Sequence, residues 1–222
     1  MSIQNIIDNS VSIAIGRTKI ASSTLSRNGR YKTGLIPGNQ PFLFVISHKP
    51  LTPYADARAT IEEIDRLDTV FSEQIDIGTT NTNLNWITAY QGDLSTSDLG
   101  NIALTTTYAG NSIDIDLTNV TGAVSADYVF KAGDFIQFDN GYKYPYTVTQ
   151  DLQYGAGGTV TLTLNRPIIE QDSYTINGGK GLLVGPACVW QVKMLEKPTY
   201  NILPGRFVEF DGDFSLIEVV ED

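Results

Sequence analysis

Apolar and polar residues alternate along most of this chain with a period of two. Val160, Leu162 and Leu164 alternate with Thr159, Thr161 and Thr163, and Ile113, Ile115 and Leu117 alternate with Asp114 and Asp116. Successive side chains of a strand point to opposite faces, so each run predicts a strand with one buried face. Phe71, Ile75 and Ile77, then Leu84, Trp86 and Tyr90, then Ile102, Leu104 and Tyr108 mark further strands, and Val192 and Met194 continue one from Trp190. One segment breaks the rhythm. Over residues 53–68 the apolar positions Tyr54, Ala57, Ile61, Ile64 and Leu67 fall three or four apart, which places them on one stripe of a helix. Thr52 is placed to cap its first turn, and Pro53 suits the first helical position, where a missing N–H costs nothing. The opposite face carries Asp56, Arg58, Glu62, Glu63 and Arg66 and reads as solvated.

Turn residues connect these runs. Asn140-Gly141 lies between Phe135-Ile136-Gln137-Phe138 and Tyr142-Lys143-Tyr144, and Asp211-Gly212 lies between Phe207-Val208-Glu209-Phe210 and Phe214-Ser215-Leu216-Ile217. Both dipeptides tolerate positive φ and predict type I′ hairpins. Pro145 bends its strand or holds it at an edge, since it cannot donate to a ladder. Most of the Thr and Gly falls between about Gly92 and Gly181, whereas the helix, both Trp residues and the longest apolar strands lie outside. The expected architecture is therefore a mainly β domain, a sandwich or barrel with one flanking helix, built from residues 1–92 and 183–222. A smaller β domain of residues 93–182 is inserted into it.

Composition narrows the function. Of 222 residues, 15 are Lys or Arg and 25 are Asp or Glu, a net charge of −10. Such a chain gains no counterion-release free energy on a phosphate backbone, so neither specific nucleic-acid binding nor adhesion to anionic lipid is expected. No apolar run approaches the roughly 20 residues of a spanning helix. The start, MSIQNIIDNS, lacks the basic and apolar regions of a secretory signal. Cys188 is the only cysteine, so an intrachain disulfide is impossible, and its neighbours Ala187, Val189 and Trp190 suggest an inert core thiol.

Candidate chemistry is sparse. His48 is the only histidine; a Ser–His–Asp set would need it, but it precedes Lys49-Pro50 at a strand-to-helix corner, and with one His and one Cys a zinc ion would need carboxylates for the rest of its shell. Asp114 and Asp116 share a strand face, as do Asp211 and Asp213 if the turn allows, but Ile113, Ile115 and Leu117 claim the buried side and leave the first pair to water. Gly178-Gly179-Lys180-Gly181 resembles a phosphate loop but has Tyr174 and Gly181 where that motif needs Gly and Ser or Thr. Tyr142, Tyr144 and Tyr146 are spaced like one face of a strand and suit a core or an interface more than a ligand platform. No catalytic residue, metal ligand or cofactor is assigned. The stretch from Asn28 to Pro41, rich in Gly and Pro, reads as an extended arm whose Arg27, Arg30 and Lys32 bring positive charge to an acidic protein. Those three residues, Phe210 and Phe214 around the Asp211-Gly212 turn, and Tyr142 and Tyr144 are the candidate interface residues.

Two stretches resemble segments of virion structural proteins from contractile-tailed bacteriophages, including phages of cyanobacteria. One is Ala132-Gly133-Asp134-Phe135-Ile136-Gln137 through Tyr144-Pro145-Tyr146-Thr147-Val148-Thr149 and on to Thr159-Val160-Thr161-Leu162-Thr163-Leu164-Asn165-Arg166-Pro167. The other is Leu203-Pro204-Gly205-Arg206-Phe207-Val208-Glu209-Phe210-Asp211-Gly212-Asp213-Phe214. The resemblance implies a tail-tube-like or baseplate protein without enzymatic activity or cofactor. It implies a hexameric ring around the tail axis, formed by sheet extension, that joins tail tube to baseplate. Its partners would be copies of itself and other tail-tube or baseplate proteins, in a virion assembled after synthesis in the host cytoplasm. A carbohydrate- or receptor-binding β-module of a virion is the alternative, and a cell-wall glycan hydrolase a third reading that lacks an evident carboxylate pair.

Overall fold

The structure, a computed structural model, describes residues 3–17, 21–25, 31–35, 40–49, 51–66, 72–78, 84–155, 157–169, 172 and 181–220. In chain order its elements are helix α1 (Ile3–Asp8), strands β1 (Ser10–Arg17), β2 (Ala21–Leu25), β3 (Tyr31–Leu35), β4 (Phe42–His48) and β5 (Leu51–Pro53), and helix α2 (Tyr54–Arg66). Strand β6 (Glu73–Ile75), a 3₁₀ turn at Asn85–Ile87 and helix α3 (Thr96–Gly100) follow. The middle of the chain supplies β7 (Ala103–Ala109), β8 (Ser112–Asp116), β9 (Tyr128–Phe130), β10 (Phe135–Phe138), β11 (Tyr146–Thr147), β12 (Leu152–Gln153) and β13 (Thr159–Thr163). The last part holds β14 (Leu182–Val184), a 3₁₀ turn at Gly185–Ala187, β15 (Trp190–Glu196), β16 (Thr199–Leu203), β17 (Phe207–Asp211) and β18 (Phe214–Glu218). The fold is mainly β, as the alternation predicts, with a curled antiparallel sheet and few helices.

The largest sheet is antiparallel with order β1-β4-β18-β15-β6, so the N-terminal strands are completed by strands from the far end of the chain. A three-stranded sheet, β16-β17-β5, lies beside α2, and the middle of the chain forms β13-β8-β7, β11-β10-β14 and β12-β9. Alternation decides what each strand buries. In β18, Phe214, Leu216 and Glu218 point inward, and in β4, Phe42, Phe44 and Ile46 do.

The apolar interior falls into two clusters. The first gathers Phe42, Phe44, Ile46, Trp190, Val192, Phe214 and Leu216 under α1 and under Ala57 and Ile61 of α2. Trp190 meets Phe42, Phe44 and Phe135 edge-on, with centroids 6.3, 5.7 and 5.4 Å apart, the arrangement that aromatic quadrupoles favour. The second cluster gathers Ile113, Ile115, Leu117, Phe130, Leu162 and Leu164. Strand β10 lies between the two. All four of its residues are buried; Phe135 packs into the first cluster, and Ile136 and Phe138 into the second.

Several local expectations are corrected. Helix α2 starts at Tyr54, because Thr52 and Pro53 are in β5, paired with Val208 and Phe207. The Thr52 hydroxyl donates to Lys49 O instead of capping the helix, and the Tyr54 N–H is taken by Arg206 O. Pro53 lacks an N–H, and there the strand gives way to the helix. Neither predicted I′ turn forms, since at both sites only the glycine, Gly141 or Gly212, has positive φ. Residues 139–145 form a wider loop between β10 and β11. Asp211-Gly212 is not a hairpin turn: it carries the chain out of the β16-β17-β5 sheet into the five-stranded one. The hairpin sits one element earlier, where Gly205 and Arg206, at φ 88° and 68°, turn β16 into β17. Leu84, Trp86 and Tyr90 lie on a 3₁₀ turn and irregular chain, not on a strand. The short helices α1 and α3 carry too few residues for a visible helical period; α3 is set by Ser95, whose hydroxyl caps the Asp98 N–H at 3.1 Å.

Candidate functional site

The seam between the two clusters is polar where it is deepest. Alternation along β18 puts Glu218 on the same inward face as Phe214 and Leu216, and Arg166, just past β13, reaches it from the second cluster. Both side chains are fully buried. The guanidinium grips the carboxylate with two bonds of 2.6 and 2.7 Å. Its Nη2 also donates to Pro145 O at 2.8 Å, and the Phe42 N–H donates to Glu218 at 3.0 Å. Phe42 and Tyr146 hold the guanidinium between their rings, 5.3 and 5.0 Å from the centroids. A buried ion pair survives desolvation only when its geometry is good and further hydrogen bonds support it; here the pairing is bidentate, and Pro145 O and the Phe42 N–H add to it. Gln137 of β10 makes a second polar join: its Oε1 accepts from the Val189 N–H at 3.0 Å and its Nε2 donates to Val189 O at 3.1 Å.

The network extends through Tyr146. Its hydroxyl donates to Asp172 Oδ2 and accepts from the Ile169 N–H at 3.1 Å. Asp172 Oδ1 accepts from Asn140 Nδ2 at 2.6 Å. Burial pushes the Asp172 carboxyl up to about 6, against the pull of the Asn140 and Tyr146 hydrogen bonds and of Arg166. The same burial, with the Asp172 charge, raises the Tyr146 phenol well above its ordinary range. The other buried polar groups also serve structure. Asp134 binds the Gln91 and Lys131 N–H groups at 2.8 Å, and burial raises its carboxyl. His48 donates from Nε2 to Ile6 O at 2.9 Å, and burial lowers its pKa, which favours the neutral ring. Burial raises the Cys188 thiol far out of reactive range.

Above this seam the surface opens into an apolar groove of about 340 Å³. Strand β1 forms one wall. Among the described residues it is the outer strand of the five-stranded sheet, an edge position. Ile13, Ile15, Phe42, Phe135, Ile87 and Trp86 line the groove. Trp86 is 67% exposed. At one end the Arg17 Nη2 donates to Thr147 Oγ1 at 2.8 Å, tying β1 to β11; burial, then the charge of Arg166, lowers the Arg17 pKa. An exposed Trp beside apolar residues and an open strand edge can take an extended segment of another chain by strand addition.

The residues expected at an interface are dispersed. Arg27 and Arg30 lie outside the described residues, as do residues 28–30 and 36–39 of the expected arm. Lys32 is on β3, which pairs with β2 in a two-stranded ribbon, so this part of the arm is paired strand instead of extended chain. Phe210 and Phe214 are buried, 8% and 0% exposed, and pack tilted against His48, 5.5 and 5.1 Å between centroids. Tyr144 is buried and Tyr142 is exposed; their rings stack at 5.7 Å, so one face of Tyr142 is already covered. Among the described residues no group of three or more His, Cys, Asp or Glu side chains could hold a metal ion. Sequence reasoning passed over Arg166, Glu218, Asp172 and Trp86. For Glu218 the signal was present, a charged residue in phase with Phe214 and Leu216. Neither a family model nor a curated protein matches the chain.

Proposed function

We propose that this protein is a non-enzymatic structural subunit of a bacteriophage tail or baseplate that assembles with copies of itself into a ring, hexameric as the resemblance implies, between tail tube and baseplate. The observation that carries the reading is the edge position of β1, among the described strands, beside the apolar groove at Trp86. A single repeated contact between such an edge and a second patch on the next copy closes into a ring and covers that edge in every copy. The buried Asp134, Asp172, Arg166, Glu218 and His48 all have bonding partners within the fold, which fits a protein that works through its surface. The two virion-like stretches supply the location.

Native mass spectrometry and light scattering test this. The purified protein is expected to self-associate, and Trp86→Asp, at an exposed position, to yield a folded monomer. A wild-type protein that stays monomeric at high concentration, or a chain absent from purified virions, overturns the proposal.

A further inference from the structure

Asn140-Gly141 has the composition most prone to spontaneous deamidation, and the fold holds it in an unusual way. In that reaction the Gly141 backbone nitrogen loses its proton and attacks Asn140 Cγ. The new N–C bond closes a five-membered succinimide, the bond from Cγ to Nδ2 breaks, and the amide leaves as ammonia. Water then opens the ring at either carbonyl, giving aspartate or isoaspartate, so the net change is water in and ammonia out. The glycine has no side chain to obstruct the attack, and the space where a Cβ would stand is open. Gly141 is exposed to the water and base the reaction needs.

Both ends of the Asn140 amide are nevertheless held. Its Oδ1 accepts from the Tyr142 N–H at 3.0 Å, and its Nδ2 donates to the Asp172 carboxylate at 2.6 Å. These bonds fix the orientation of the amide. An ionised acceptor on Nδ2 also keeps electron density on the nitrogen that must depart, which makes it a poorer leaving group. The product is penalised as well. An aspartate at position 140 would set a second carboxylate against Asp172, and two carboxylates at that separation cannot both ionise freely.

We propose that Asn140-Gly141 is a guarded deamidation site: it stays intact while Asp172 holds the Asn140 amide, and it converts to aspartate or isoaspartate when that contact is lost. Conversion removes the only donor in the side chain of Asn140, so it also strips Asp172 of a partner next to Tyr146 and the Arg166–Glu218 pair. The modification would irreversibly remove one of the contacts that hold Asp172 beside Tyr146.

The full-length protein is incubated at pH 8, and the Asn140 peptide is followed by mass spectrometry with isoaspartate detection. Native wild type, wild type unfolded in urea, Asp172→Ala and Asp172→Asn are compared. Native wild type is expected to convert about tenfold or more slowly than the urea-unfolded chain, a difference set by the barrier the two hydrogen bonds add. Asp172→Ala should approach the unfolded rate, and Asp172→Asn, which keeps a neutral acceptor, should fall between. Asn28-Gly29 and Asn177-Gly178 in the same chain serve as internal clocks. Equal rates for native and unfolded wild type overturn the proposal, as does a folded Asp172→Ala or Asp172→Asn variant that converts no faster than wild type. If Asp172→Ala fails to fold, the wild-type comparison and Asp172→Asn still decide.

Discussion

Replacing Glu218 with Ala removes the carboxylate that neutralises Arg166 in a site with no access to water. Loss of one member of a buried pair costs roughly 3–5 kcal/mol, because the remaining charge is left uncompensated. The Phe42 N–H, bonded to Glu218 at 3.0 Å, also loses its acceptor. Since a domain of this kind is stable by only about 5–15 kcal/mol, a loss of about 4 kcal/mol consumes much of the margin. With a urea slope of about 2 kcal/mol per M, the unfolding midpoint falls by about 2 M. Trp190 is the natural reporter, buried against Phe42 and Phe135, and a Trp86→Phe background removes the exposed second indole. The double substitution Arg166→Met with Glu218→Leu removes both charges and should recover to within about 2 kcal/mol of wild type. If Glu218→Ala stays within about 1 kcal/mol of wild type, or the double variant is as damaged as the sum of the singles, the pair does not join the clusters as the geometry indicates.

Three further outcomes are expected. Ile61→Asp buries a carboxylate under α2 and should lower stability by several kcal/mol, roughly 3 or more; a melting temperature within a degree or two of wild type would show that the helix is not packed on the sheet. Asp172 holds its proton up to about 6 when folded but only to its ordinary 3.8 when unfolded. Between those values the folded state binds more protons, so its contribution to stability falls as pH rises through that window. Asp172→Asn should flatten the urea midpoint between about pH 4 and 6, and an unchanged slope would refute the assignment. Residues 93–182 expressed alone should give a poorly dispersed amide spectrum, because Phe135 loses its cluster and Arg166 its carboxylate; Arg166→Met should improve the dispersion, and a well-dispersed wild-type fragment would show that the seam is dispensable.

Strand content was legible because burial on one face writes itself into the sequence with period two, as at Thr159 to Leu164 and Phe214 to Glu218. Helix α2 was legible for the same reason with a different period. Strand pairing was not. The pattern Phe207-Val208-Glu209-Phe210, then Asp211-Gly212, then Phe214-Ser215-Leu216 reads as a hairpin, but each strand finds its partners elsewhere: β17 pairs with β16 and β5, and β18 with β4 and β15. Local turn chemistry cannot report such long-range choices. The apolar residues around the Asp211-Gly212 turn were assigned to the surface for that reason, although Phe210 and Phe214 close the core over His48. Trp86 was read as an inward strand residue, and only its place in a 3₁₀ turn shows it standing in solvent.

The order of the five-stranded sheet has a consequence for how the chain is made. Strands β1 and β4 leave the ribosome well before the neighbour that β4 requires, β18 at Phe214–Glu218. The contacts of β7, β8 and β13 span far shorter stretches of sequence and can close first. A nascent chain therefore carries a nearly finished middle whose Arg166 has no counter-charge, beside an N-terminal half-sheet with an open flank. Phe214 to Glu218 completes both at once, supplying the missing strand and the missing carboxylate in one stroke. Emergence of β18 is thus the step that commits the molecule to its native form, and a chain without this strand should aggregate or be degraded.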